Sequence, residues 1–289
     1  MKKYELTDDS ITFMGHKLFR IRAIRSFNGV NVGDLGGYIE KEENLSHDDN
    51  AWISGDAYIS GDACIYEDAR ISGNARIFGS VSIYGDAYIY GDTCIYGNVR
   101  ISGNAHIFGN TYIYGNAHIY GDAWIYEDAH IYGDACVSGK ACISGNACIS
   151  GNAWIHENAH IYGSAWIYGN ARIYGVACIY GNAWIYGNAW IYENANICGN
   201  AYICGNAQVC SNAYVCDKSD CLCFHGLGSE NRITTFFKCK DGHIHVSCGC
   251  FSGNLVEFEN KVKKTHGDNK YAKEYLACIG IVKLHFEKE

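Results

Sequence analysis

The feature that most constrains this chain is a six-residue period running without insertion or deletion from Ala51 to Cys216. The unit reads Gly, Asp or Asn, Ala, a variable residue, Ile, and most often Tyr. Asn182-Ala183-Trp184-Ile185-Tyr186-Gly187 is a typical copy. Counting in sixes from Ile53 to Val215 gives 28 positions, and all are Ile or Val. Six residues are too few for a helix-turn-helix unit and match no helical period. In an extended segment the residues flanking each Ile point opposite to it. Gly and Asp/Asn then suit a corner, since both tolerate positive φ, and Ala fits inside a tight bend. A strand, a corner and their repetition make a coil. With three corners a coil takes 18 residues, so the 28 units amount to about nine coils. With strands stacked about 4.8 Å apart, such a prism is about 45 Å long.

This reading divides the chain into an N-terminal β cap at 1–50, the hexapeptide-repeat β-helix at 51–216 and an α+β C-terminal cap at 217–289. In the first, Ile11-Thr12-Phe13-Met14, a turn at Gly15-His16, and Lys17 to Ile24 read as a hairpin. In the last, Ile233 to Lys240 and His243 to Phe251 flank a turn at Asp241-Gly242, and two helices are expected from Asn254 and from Lys270. The caps have a physical purpose. An uncovered ladder end would pair with another molecule.

Ile-x-x-Asn-Ala-x-Ile resembles the hexapeptide repeat of left-handed parallel β-helix proteins. That resemblance implies an all-β, single-stranded, three-sided parallel β-helix, with left-handed coiling. Where that class often has Gly after Ile, this chain mostly has Tyr. The flanking segments Gly33-Asp34-Leu35-Gly36-Gly37-Tyr38-Ile39-Glu40, Asn44-Leu45-Ser46-His47, Ser247-Cys248-Gly249-Cys250-Phe251 and Thr265-His266-Gly267-Asp268 resemble uncharacterised proteins encoded by bacteriophages and prophages. The resemblance implies an accessory protein and brings no established activity.

Net charge is −8, and the repeat carries most of it, with 12 acidic residues against five basic ones. No basic stripe exists for phosphate, so direct nucleic-acid binding is not expected. No apolar run is long enough for a membrane span. The N-terminus lacks the apolar core of a secretory signal, so a cytoplasmic location is expected, inside the host cell if the protein is phage-encoded. There the 16 Cys, including the stacked pair Cys198 and Cys216, are expected as free thiols. Pro is absent, as suits an uninterrupted ladder.

The outward positions of the repeat hold all six Trp, 19 of the 23 Tyr, and Phe78 and Phe108. Stacked at intervals of 18, these rings either support one another along each face or offer a flat surface to a protein partner or a second copy, giving a homo-oligomer. Trp154, Trp166, Trp184 and Trp190 with Tyr168 and Tyr186 are the candidate binding surface. One coil breaks the coat: Cys136, Ser138, Cys142, Ser144, Cys148 and Ser150 place small side chains at all six outward positions. This waist reads as drift within the array or as a groove.

Catalysis is not expected. Many hexapeptide-repeat proteins are trimeric acyltransferases, and that resemblance implies a coil His beside a loop thrown out of the coil. His106, His118, His130, His156 and His160 lie in the coil, but no loop interrupts it. An acidic mimic of DNA, acting as an inhibitor, is a further alternative, although mimicry needs denser carboxylates. No cofactor is expected beyond a structural zinc ion. In the coil, Cys142, His160 and Cys178 share a column but span two strand spacings, too far for one tetrahedral ion. In the tail Cys221, Cys223, Cys248 and Cys250 form two Cys-x-Cys pairs near Cys239, His225, His243 and His245. The two pairs are the candidate zinc ligands.

Overall fold

The computed structural model describes residues 1–287. The chain divides into two compact units, 1–157 and 158–289. In the first, the repeat strands stack in parallel with those 18 residues away, in three columns. One runs Ile59, Ile77, Ile95, Ile113, Ile131 and Ile149. The others begin at Ile53 and Ile65. The Ile side chains and the small corner residues, Ala except at Val81, Thr93, Val99 and Thr111, are buried, so the core is a stack of Ile and small residues. Each hexapeptide donates to the next turn through its backbone, as in Asp56 N to Gly73 O (3.0 Å), Tyr58 N to Ala75 O (2.8 Å) and Ser60 N to Ile77 O (2.9 Å). The backbone polar groups of a six-residue unit are thereby largely satisfied by the ladder itself.

The corners differ from the expectation. Among the described repeat residues no Asn or Asp has positive φ; the Gly before it does. Where Gly is replaced, Glu67, Glu127, Glu157, Glu193 and Ser211 take the same left-handed conformation. Asn and Asp serve the corner through their side chains. Asn98 Nδ2 donates to Asn116 Oδ1 (3.0 Å), and Asn116 Nδ2 to Asp134 Oδ1 (2.7 Å), one turn apart each time.

The N-terminal end converts antiparallel pairing into parallel pairing. Strands β1 (Tyr4–Phe13) and β2 (His16–Ala23) form the hairpin, turning at Met14-Gly15. Strand β3 (Leu35–Ile39) pairs antiparallel with β2 and parallel with the Tyr58–Ile59 strand. Ile39 then stacks on Ile59 and Leu45 bridges to Ile65, each 20 residues from its partner. These two residues lie outside the strict period yet add two rungs to the 28, which brings the β-solenoid to about ten turns.

In the second unit the rungs run from Ile161 to Val215, again in three parallel columns. Cys198 and Cys216 face each other on adjacent turns, their Cα atoms 4.2 Å apart. Four antiparallel strands follow: β4 (Cys221–Leu227), β5 (Arg232–Lys238), β6 (Ile244–Cys248) and β7 (Phe251–Asn254). Helices α1 (Leu255–His266) and α2 (Lys270–Phe286) complete the cap, and α2 continues through Gly280. The sheet is covered on both faces. Phe236 and Val246 meet Phe258, Val262, Tyr275 and Ile279 of the helices. Thr235 and Ser247 face the solenoid: Gln208 N donates to Thr235 Oγ1 (3.0 Å), and Ser247 Oγ to Gln208 Oε1 (3.2 Å).

Candidate functional site

Because a strand residue recurs in the same place one turn later, outward rings in one column stack. In the first unit Phe78, Tyr96, Tyr114 and Tyr132 form a run of four near-parallel rings with centroids 4.9–5.1 Å apart. Tyr88, His106 and Trp124 form another, at 5.3 and 4.6 Å. The imidazole of His106 is thus a ring between rings. His130 meets one ring, that of Tyr112, tilted by 31° at 5.0 Å. Trp52 is an exception among the tryptophans. The N-terminal segment covers it, with Tyr4 and Phe27 packed edge-on, leaving it 5% exposed.

At the waist a small pocket lined by Tyr120, Cys136, Ser138 and Trp154 stays open, and tyrosines of the preceding turn lean over the small residues. The thiols of Cys136, Cys142 and Cys148 donate to the hydroxyls of Tyr120, Tyr126 and Tyr132 of the preceding turn, at 3.5, 3.6 and 3.4 Å. Ser138, Ser144 and Ser150 are buried beneath those rings. The same exchange recurs on three faces because the small residues occupy equivalent positions in one turn.

The candidate surface residues fall into separate groups. In the second unit Trp166, Trp184 and Tyr202 occupy one column, with the two indoles stacked at 5.6 Å and 11°. All three stay 43–44% exposed. Beside them Tyr168 and Tyr186 stack at 5.1 Å, and the Tyr186 hydroxyl meets that of Tyr202. This contact, with lesser contributions from burial and from Cys204, raises the Tyr186 phenol above its ordinary range. A shallow groove lined by Trp184, Tyr202, Asn182, Asn200 and Lys218 adjoins the column. Trp190 lies in a different column, with the Arg172 guanidinium over its ring at 5.0 Å. Trp154 belongs to the first unit and is also exposed.

The four tail cysteines do not converge. Cys221 and Cys223 pair with Phe237 and Thr235 on the solenoid-facing side of the sheet. Cys248 pairs with Thr234 and meets Tyr275 Oη at 3.8 Å, on the helix-facing side. Cys250 is exposed in the β6–β7 turn. Strand alternation places residues two apart on one face, and the intervening turn carries Cys250 out of it. Cys239, His243 and His245 do come together, their ligand atoms all within 4.8 Å of one another. Their spacing lies within one hairpin turn, a signal the paired Cys-x-Cys reading passed over.

A family model described as YdcK beta solenoid repeat matches residues 69–85. No curated protein matches the chain. The matched segment lies within the repeat, and together with the parallel columns it supports a repeat β-helix protein.

Proposed function

We propose that this protein is a non-catalytic β-solenoid scaffold that acts by binding a protein through its aromatic faces. The observation that carries the reading is the Trp166–Trp184–Tyr202 column, in which the two indoles stack, Tyr202 meets Tyr186 edge-on, and all three rings remain exposed. Indoles fixed in this way lose little conformational entropy on contact, and large flat rings supply most of the energy at protein interfaces. The adjoining groove and Lys218 add a polar rim. Support for the non-catalytic part comes from a coil histidine: His106 is engaged between the Tyr88 and Trp124 rings as a stacking partner. The resemblance of the flanking segments to phage and prophage proteins is the ground for reading the scaffold as an accessory protein.

The test is the double substitution Trp166→Ser and Trp184→Ser. The core Ile residues beside them are untouched, so far-UV circular dichroism should match the parent. Sedimentation of self-associated species, or capture of a bound protein, should be lost. A double variant that sediments like the parent and captures the same proteins would sink the proposal. Binding of an acyl-coenzyme A by the parent protein would favour the acyltransferase alternative instead.

A further inference from the structure

The cap contains a cluster that the scaffold reading does not use. Cys239 follows β5, His245 lies in β6, and His243 sits in the turn between them. The sulfur and one nitrogen of each imidazole lie within 4.8 Å of one another, with Cys239 and His245 buried and His243 exposed. The turn is closed by backbone bonds from Cys239 N to His243 O (2.9 Å) and from Gly242 N to Cys239 O (2.9 Å). It is docked on the last solenoid turn through the Ala213–Cys239 bridge and Lys240 N to Asn212 O (3.1 Å).

Each imidazole is oriented by a second partner. Asp241 Oδ1 accepts from the His243 backbone (3.2 Å) and contacts its Nδ1, which leaves Nε2 available. His245 Nε2 is 2.8 Å from Ser252 Oγ, which leaves Nδ1 available, and its ring stacks on Phe237 at 5.1 Å. A carboxylate behind an imidazole is the usual outer support of a bound ion. One thiolate, two neutral imidazoles and a divalent cation sum to a single positive charge, which the adjacent Asp241 offsets. Zinc bonds of about 2.3 Å to sulfur and about 2.0 Å to nitrogen place such ligands about 3.5 Å apart. Side-chain rotations of about 1 Å close the present spacing to that value.

We infer that Cys239, His243 and His245 form a binding site for a zinc-class divalent ion, with water at the fourth position on the exposed His243 side. The mixed thiolate and imidazole set selects a borderline-soft metal over calcium or magnesium. The ion would pin the β5–β6 turn against the end of the ladder.

The probe is cobalt(II), titrated into full-length, metal-free protein under a phosphine reductant, followed by displacement with zinc(II). One equivalent should give tetrahedral bands with a thiolate-to-cobalt charge-transfer component, and zinc should abolish them. Cys239→Ser should lose the charge-transfer component. His243→Gln, at an exposed side chain, should weaken binding, and Asp241→Asn should weaken it by about 10–100-fold. The double variant Cys221→Ser with Cys223→Ser should titrate like the parent. Absence of the bands in the parent overturns the site. So does their persistence at unchanged affinity in His243→Gln, which remains decisive if Cys239→Ser fails to fold. Loss in the Cys221/Cys223 variant with retention in Cys239→Ser would assign the metal to other thiols and equally overturn it.

Discussion

At each corner the backbone turns with positive φ, and the packing above it is tight. A Cβ placed on Gly133 would lie 3.0 Å from both N and O of Gly151 in the next turn. Glu127 carries a Cβ at the equivalent place with φ near 61°, and its carboxylate accepts the Gly145 N–H at 2.6 Å. Glu67 does the same for Gly85 and Glu193 for Ser211. The carboxylate supplies an acceptor to a donor that the ladder leaves over, and so offsets the strain of a side chain in the left-handed region. Gly133→Ala is therefore expected to lower stability by about 1–3 kcal/mol. Gly133→Glu should lose less, because it can accept the Gly151 N–H. Urea midpoints of the three proteins decide this: equal losses for Ala and Glu would show that the carboxylate bond contributes nothing.

Among the elements, the N-terminal strands are tied to the first turns by one buried cation. Lys3 Nζ donates to the carbonyls of Asp49 (2.9 Å) and Ala51 (2.7 Å) and lies over the Phe27 ring. Burial is the largest influence on it and, against the nearby Asp49 charge, holds its pKa down at about 8 instead of 10.5. Between those two values the unfolded chain keeps a proton that the folded chain has released. Stability from this group therefore rises with pH across that window and falls again as pH drops through about 8. The stability of the parent relative to Lys3→Met should increase from about pH 8 to about pH 10. Denaturation of both proteins at matched pH is the measurement, and parallel curves would refute the assignment. The C-terminal helices rest on local signals. Asn254 accepts the Glu257 N–H and Glu257 accepts that of Asn254, both at 2.9 Å, a capping box readable as Asn-x-x-Glu.

For the molecule as a whole, what needs explaining is how a ladder stops. At its C-terminal end Asp220 accepts the N–H groups of Cys216 and Asp217, at 3.0 and 2.9 Å. The β4–β7 sheet then covers the last rungs through Gln208, Thr235 and Ser247. A chain ending at Cys216 would present a row of unpaired donors and acceptors beside exposed aromatic columns. Such a truncation should associate end to end and scatter light at concentrations where the full chain does not. If it sediments as a single species of its own mass, the cap is dispensable for closing the ladder. Among the described residues no helix is long and apolar enough to cross a membrane.

The six-residue period alone determined the inward Ile core; the three columns, and with them the stacking partners at intervals of 18, came from the resemblance of the repeat to three-sided β-helices. Both helices and the central hairpin of the cap were legible from local turn and helix-end signals. Tertiary structure decided what depends on contacts between unlike segments. It buried Trp52 under Tyr4 and Phe27 while leaving Trp166 and Trp184 exposed. It folded Tyr120, Tyr126 and Tyr132 over the waist, and it added Ile39 and Leu45 to the ladder out of period. It also separated the two Cys-x-Cys pairs across the sheet while gathering Cys239, His243 and His245 around one hairpin end. A repeat specifies its own neighbours, but where a non-repeating cap comes to rest is set by long-range packing that no period records.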